Sequence, residues 1–492
     1  MERHGGLYTA SQTRELDRRA IEEAGIPGWT LMQRAGRAAW DLAVERWPDA
    51  QRLLVVCGPG NNGGDGYVVA RLAREAGREV YLLQAGDPDR IRGEAAIARQ
   101  AWLDAGGHEH APDAELPEAE LIIDALLGTG LERPLEGVFL DLVRAINAHP
   151  APVLAVDIPS GLNADSGAVL GDAVQADATL SFIGRKRGLH TGPALDLCGV
   201  LAFDDLAVPD SVYRAVAPSA RLLDGSELLR LGRRPRNSHK GDFGHLLIIG
   251  GQPGMPGAVL MAAHAALRCG SGRVTLATHP RHADLLPLAL PEVMTHACSE
   301  PADLLPLLEQ ADVVLLGPGL GTGDWSRRLF DAALQFPGPM VIDADGLNLL
   351  AHSTRSPGNW VLTPHPGEAA RLLGIQSADI QNDRFEAAQR LCRLHAPVVV
   401  LKGAGSIVCS GDGALAVCPH GNPGMATAGM GDVLGGVIAS LIGQGLAPDV
   451  AARAGVWLHA LAGDTMAGAH PRGLMATDLL PALRVGVNEW PE

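Results

Sequence analysis

Short apolar runs recur along this chain, and a polar, glycine-rich loop and a helix-length segment follow most of them. The first such runs are Leu53–Cys57, Val80–Leu83, Leu121–Ile123 and Val153–Val156, with Ala178–Ile183 and Gly199–Phe203 extending the set. They are too short for buried helices and rich in β-branched residues, so they are predicted as strands covered on both faces. Helices are expected over about 67–77, 91–105 and 136–148, and capping-box spacing at Thr9/Gln12 and Thr30/Gln33 predicts two more within 9–47. The pattern lapses around 217–225 and restarts with His245–Ile249, Arg273–Ala277, Val313–Leu316, Met340–Ile342, Trp360–Leu362 and Val398–Leu401, with an Ala-rich helix over 259–269. Strands alternating with helices at this spacing mean parallel sheets, so the expectation is α/β throughout, in two domains, 1–218 and 226–492.

A chain of 492 residues can bury two full cores, and 47% hydrophobic with 20% charged residues reads as soluble and globular. The net charge of -16 argues against nucleic acid and anionic membrane as partners. An anionic ligand must then be held by local backbone nests and helix ends. The seven cysteines show no paired or zinc-binding spacing, M-E-R-H-G-G-L carries no apolar signal region, and no apolar run is long enough to cross a membrane. A cytoplasmic location is expected.

Unusual residues concentrate where strands end, which is where open α/β sheets bind ligands. Gly58-Pro-Gly-Asn-Asn-Gly63 has the spacing of a dinucleotide-binding turn, but the next strand ends Leu83-Gln84 with no acidic residue to hold a ribose. Its continuation, Gly64-Asp65-Gly66, adds a carboxylate to two Asn amides. With Asp124 and Ser160 at two other strand ends, this makes a hard-oxygen set suited to an alkali or alkaline-earth ion.

The segments L-M-Q-R-A-G (31–36), G-N-N-G-G-D-G (60–66), D-A-L-L-G-T-G (124–130) and V-D-I-P-S-G (156–161) resemble the N-terminal YjeF domain, an NAD(P)H-hydrate epimerase. The resemblance implies a Rossmann-like three-layer domain and a potassium ion held by Asn62, Asp124 and Ser160. It implies that Asn61, Asn62, Gly63, Gly64 and Asp65 line the hydrated nicotinamide nucleotide. The run Gly128, Thr129, Gly130, Leu131, Glu132, Arg133 and Pro134 would do the same, with Asp157. The chemistry would be inversion at the hydroxylated ring carbon, C6, with Asp157 handling the proton.

In the second half, Met425–Gly445 begins as a small-residue loop and ends as an apolar helix. Gly429 and Gly431 let backbone N–H groups approach an anion at the positive end of that helix. Asp432 beside them is either an N-cap or a base that takes a proton from a hydroxyl attacking phosphorus. Lys402-Gly403-Ala404-Gly405-Ser406 follows a buried strand and suits phosphate or ribose contact, while His365, between two prolines, is either functional or a helix cap with Glu368.

These features, with H-K-G-D-F-G-H (239–245), L-G-P-G-L-G (316–321), D-A-D-G-L-N (343–348) and L-T-P-H-P-G-E (362–368), resemble the C-terminal YjeF domain. That family is an ADP/ATP-dependent NAD(P)H-hydrate dehydratase with a ribokinase-like α/β fold. The resemblance implies that Ala258, Gly319, His365 and Asp432 contact the hydrated nucleotide. Lys402, Gly403, Ala404, Gly405, Ser406 and Gly431 would contact ADP as co-substrate, with Mg²⁺ assisting. Phosphorylating the ring hydroxyl would make it a good leaving group, with Asp432 as the base. The implied partners are small molecules only, in a homo-oligomer. Two rivals are a ribokinase-like small-molecule kinase with a nucleotide-sensing N-terminal domain, and a non-catalytic scaffold.

Overall fold

The computed structural model describes residues 5–112, 116–353 and 358–489. Residues 1–4, which open the stretch read as lacking a signal region, lie outside the described residues. The chain forms two compact units that meet between Arg221 and Leu222, inside the stretch where the periodicity lapses.

The first unit is built on a parallel sheet in the order Glu79–Gln84, Arg52–Cys57, Leu121–Ala125, Val153–Val156, Ala178–Phe182, Val200–Asp204. Alternate residues of each strand go to opposite faces. Leu53, Val55 and Ile123 pack with residues of helices Gly28–Arg46, Asn61–Glu75 and Gly93–Asp104. Leu54, Val56 and Ile122 pack against helix Val138–Ala148. This gives the three layers expected of a Rossmann-like domain. The chain leaves strand Arg52–Cys57 toward one edge and returns on its other side at Leu121–Ala125. The topological switch point therefore lies between these two strands.

The second unit carries a sheet in the order Met294–Ala297, Arg273–Thr278, His245–Gly250, Val313–Leu316, Met340–Ile342, Trp360–Leu362, Val398–Leu401, parallel throughout. Strands Ile407–Ser410 and Leu415–Val417 then extend it antiparallel. Its switch point lies between His245–Gly250 and Val313–Leu316.

Three sequence expectations change. The N-N-G-G-D-G segment is not a loop before a helix at Tyr67: it forms the first turns of helix Asn61–Glu75. Packing overrides the weak helix propensity of glycine here. A Cβ at Gly63 would lie 2.0 Å from the Gly58 carbonyl oxygen, and one at Gly66 2.6 Å from the Ala125 side chain. Thr30 does not cap its helix, which starts at Gly28 with Pro27 as N-cap. Thr9 and Gln12 do form their capping box. The edge strand Met294–Ala297 and the antiparallel pair escaped notice because the first is short and largely exposed, and the others are brief.

Candidate active sites

At the first switch point the structure opens a cleft of about 960 Å³. Asn61, Asn62 and Asp65 enter it from the first turns of their helix, and Leu126 to Arg133 from the loop after strand Leu121–Ala125. Asp157 reaches it from the end of strand Val153–Val156. Gly63, Gly64 and Pro134 are not in its wall. Gly64 donates its N–H to the Gly60 carbonyl at 3.2 Å and packs against Met32, and Pro134 is exposed.

Asp157 holds a backbone φ of 68°, a strained value for a residue with a side chain, and such strain collects at functional sites. Its carboxylate accepts from the Phe182 N–H at 3.2 Å and is ion-paired to Lys186, whose side chain is 1% exposed. Lys186 also donates to the Phe182 carbonyl at 3.0 Å. Asp17, from helix Ala10–Glu22, lines the same cleft, and burial pushes its carboxyl up to about 6. Burial also raises Asp65 well above the usual carboxylate range, and the charge of Asp157 adds to this.

Beside the cleft lies the oxygen-rich cluster. The fully buried Asp124 carboxylate accepts from the Ser160 hydroxyl at 2.7 Å, the Ser160 N–H at 2.8 Å and the Leu126 N–H at 3.2 Å. Burial still pushes it up to about 6. Asn62 donates its amide N–H to the Leu127 carbonyl at 3.0 Å, while its buried Oδ1 has no hydrogen-bond partner among the described residues. An orphaned amide oxygen next to an under-compensated carboxylate is what a bound hard cation would satisfy. The donor set fits potassium.

In the second unit, the loops after strands His245–Gly250 and Val313–Leu316 lie side by side. The Gln252 N–H donates to the Gly319 carbonyl at 2.7 Å, and a Cβ on Gly319 would lie 3.1 Å from that of Ala258. Ala258 sits in the first turn of helix Pro256–Arg268, which starts earlier than expected. Helix Met430–Gly443 is capped by Gly429 in the left-handed region, with no side-chain cap, so Asp432 is not the N-cap and its carboxylate is not spent on the helix end. A Cβ on Gly431 would lie 3.2 Å from Lys402 Nζ and 3.4 Å from Asp343 Oδ2, which places the lysine at the mouth of the glycine nest.

Lys402 is salt-bridged to Asp343 at 2.6 Å and lies 3.8 Å from Glu368. Burial works against its charge, but the two carboxylates outweigh this and hold its ammonium above the ordinary value. Burial, reinforced by Asp343, pushes Asp432 up to about 7, and burial pushes Glu368 to about 7 as well. His365 does cap helix Pro366–Leu373: Nδ1 accepts from the Gly367 N–H at 3.0 Å and the Glu368 N–H at 3.4 Å. Burial, then Lys402, lowers its pKa, so the ring is neutral with its proton on Nε2. Ser406 closes the Lys402–Ser406 loop, donating to the Gly403 carbonyl at 3.0 Å and accepting from the Gly403 N–H at 3.3 Å. Gly403 and Ala404 are exposed at its tip and Gly405 is buried beneath.

A family profile described as YjeF-related protein N-terminus matches residues 29–188, and one described as NAD(P)H-hydrate dehydratase matches residues 246–484. The bifunctional NAD(P)H-hydrate repair enzyme of Coxiella burnetii is 48% identical over 98% of this chain and 99% of its own length. The chain belongs to the family of bifunctional NAD(P)H-hydrate repair enzymes. The repair enzyme of Escherichia coli is 46% identical over 98% of this chain and 94% of its own. Among solved structures, a ribokinase-like superfamily protein from Enterococcus faecalis superposes with a TM-score of 0.50 at 29% identity, covering 55% of this chain and 96% of that one. A hypothetical protein from Streptococcus mutans gives 0.51 at 31% identity over 54% of this chain and 98% of that one. The expected fold classes hold for this member of the repair-enzyme family.

Sequence reasoning passed over Lys186, Asp17, Asp343 and the charge of Glu368. D-A-D-G marked a strand end but Asp343 was given no role. Asp17 sits in R-E-L-D-R-R and Lys186 in R-K-R, where each looks like one more solvated charge.

Proposed function

We propose that the chain restores reduced nicotinamide nucleotides from their hydrated forms in two steps. Residues 1–218 interconvert the R and S hydrates, and residues 226–492 dehydrate the S form at the expense of ADP. The observation that carries the second step is the placement of Lys402 beside Gly431 of the nest, close enough for its charge to act on the Asp432 carboxyl. A carboxyl raised to about 7 is matched to taking a proton near neutral pH. Asp432 takes the proton of the C6 hydroxyl, whose oxygen bonds to the β-phosphorus of ADP, and AMP departs. Lys402 and the helix N-terminus stabilise the charge on the transferring group. The ring nitrogen then expels phosphate from C6, and loss of a C5 proton restores the double bond. The products are the reduced nucleotide, AMP and phosphate.

Mg²⁺, when bound, would supply charge neutralisation on the ADP phosphates. His365 Nε2–H and the Ala258–Gly319 surface serve the hydrated ring, and the Lys402–Ser406 loop serves ADP. In the epimerase, Asn62, Asp124 and Ser160 would hold potassium, which supplies a fixed positive charge at the edge of the cleft. Asp157, oriented by Lys186, handles the proton at C6. The cleft residues Asn61, Asn62, Asp65, Gly128 to Arg133 and Asp157 form the nucleotide-binding set, with Gly63 and Gly64 shaping the helix turn that carries the first three.

The location we propose is cytoplasmic, which all seven cysteines being free supports. Among the described residues no helix is long and apolar enough to cross a membrane. A homo-oligomer is supported by Leu285 and Leu288, 59% and 82% exposed, near the exposed Met294 of the edge strand. The test is to give the purified protein the S hydrate of NADH with ADP, ATP or no nucleotide. The proposal expects recovered absorbance of the reduced ring with matching AMP. A stable phosphorylated hydrate would support the kinase reading instead, and no turnover with either nucleotide would end the proposal.

A further inference from the structure

Inversion at C6 needs more than one proton-handling group. The hydroxyl leaves most readily as water, so something must protonate it. Water then returns on the other face of the ring, so something must accept its proton. The Asp157–Lys186 ion pair supplies one carboxylate, and Lys186 donates both to it and to the Phe182 carbonyl. Two further carboxyls, Asp17 and Asp65, share the cleft with that pair. The charges facing Asp17 are Lys186 in its favour and Asp157 against it, with Arg14 exposed on its own helix and Glu94 on the cleft rim. Three carboxyls around one buried ammonium cannot all stay ionised, because unscreened like charges force a proton onto the group with least support.

Asp65 and Asp17 are the groups with least support: among the described residues neither carboxyl makes a hydrogen bond or ion pair, and Asp65 is the more deeply buried. Asp17 is the more open of the two, turned into the cleft from helix Ala10–Glu22. Asp157 is anchored by both the lysine and the Phe182 N–H. Two carboxyls whose surroundings push their protonation apart are the arrangement that lets one act as acid and the other as base.

We propose that Asp17 is the second catalytic residue of the epimerase, the acid that protonates the departing C6 hydroxyl. The inference rests on the epimerase reading above. The Asp17 proton goes to the oxygen, the C6–O bond breaks with its electron pair to oxygen, and the ring nitrogen lone pair forms the C=N bond of an iminium ion. Water adds to C6 from the other face, its lone pair forming the new C6–O bond as the C=N π pair returns to the ring nitrogen, and gives its proton to Asp157. In the opposite direction the two carboxyls exchange roles, so one proton shared between them serves both. Asp65 stays protonated and donates to the substrate. Because Asp17 has to be protonated, the rate of epimerisation in this direction falls as pH rises through its pKa, near 6.

The test uses the full chain with separated R hydrate, R-to-S conversion being followed by chromatography, with Asp17→Asn and Asp17→Glu beside the parent. In H₂¹⁸O the parent should place ¹⁸O in the C6 hydroxyl of both epimers. Asp17→Asn should lower kcat by about 10²–10⁴-fold with little change in KM, and remove the alkaline fall of the pH profile. Asp17→Glu should restore part of both, and an unchanged first melting transition shows that the unit is folded. A parent that converts R to S, with Asp17→Asn equally fast or keeping the alkaline limb, overturns the role of Asp17 alone. Inversion without ¹⁸O uptake overturns the water-loss route. A parent that converts nothing overturns the epimerase reading itself.

Discussion

Replacing Asp432 by Asn changes little in shape but removes a carboxylate of the first helical turn that the helix does not use as a cap. The account predicts two opposite effects. Dehydration of the S hydrate should drop about 10²–10⁴-fold, the usual range for losing a general base. Stability above neutral pH should rise. Asp432 has a folded pKa of about 7 against an ordinary 3.8. A raised pKa means that its contribution to stability is intact below pH 3.8 and lost as pH climbs through 7. At about 1.4 kcal/mol per pH unit, holding it ionised costs the fold up to about 4 kcal/mol, less whatever solvent at the site mouth screens. Urea melts at pH 8 should therefore show the Asn variant more stable than the parent by a measurable part of that figure, and the gap should narrow by more than half at pH 5 and close below pH 3.8. Activity is read with S hydrate and ADP. A variant that dehydrates normally, or is no more stable at pH 8 than at pH 5 relative to the parent, would refute the reasoning.

The dehydratase rate itself should rise with pH through about 7, since Asp432 must be ionised to accept the proton, and a profile flat from pH 5 to 8 would contradict this. Asn62→Leu removes the buried oxygen that has no partner. In the parent, potassium at about 100 times its Kd should raise the stability of the first unit by about 2.7 kcal/mol over the same concentration of a bulky organic cation, and in the variant this difference should vanish. Gly431→Ala adds a methyl 3.2 Å from Lys402 Nζ, so the lysine must shift. KM for ADP should rise about tenfold with the melting temperature little changed, and an unchanged KM would show that Lys402 is not at the nucleotide.

The parts of both sites that lie at strand ends were legible in the sequence, because turn residues with oxygen side chains are conspicuous there. Asn62, Asp124 and Ser160 could be picked out by type alone, and so could the Gly429–Asp432 nest. The structure added what the sequence could not show of Asn62: its oxygen is buried and, among the described residues, no donor meets it. Lys186 was illegible because its burial depends on distant pairing. The short strand Arg185–Lys186 lies in register with Leu7–Tyr8 from the start of the chain, and no local pattern announces that. Asp17 was hidden for a similar reason, in a helix whose neighbours are charged and solvated. The N-N-G-G-D-G segment misled in the other direction. Its glycines read as a loop, yet they are what allow a helix to press against Gly58 and Ala125 and aim its N-terminus at the cleft.

The central claim is that one chain repairs both hydrates, and a stoichiometric endpoint tests it most directly. A mixture of R and S hydrates of NADH of known proportions is incubated with the protein, ADP, Mg²⁺ and potassium until absorbance stops changing. The account predicts recovery equal to the sum of both epimers, with one AMP and one phosphate for each ring restored. Recovery that stops at the S share, or that proceeds without AMP, would contradict it.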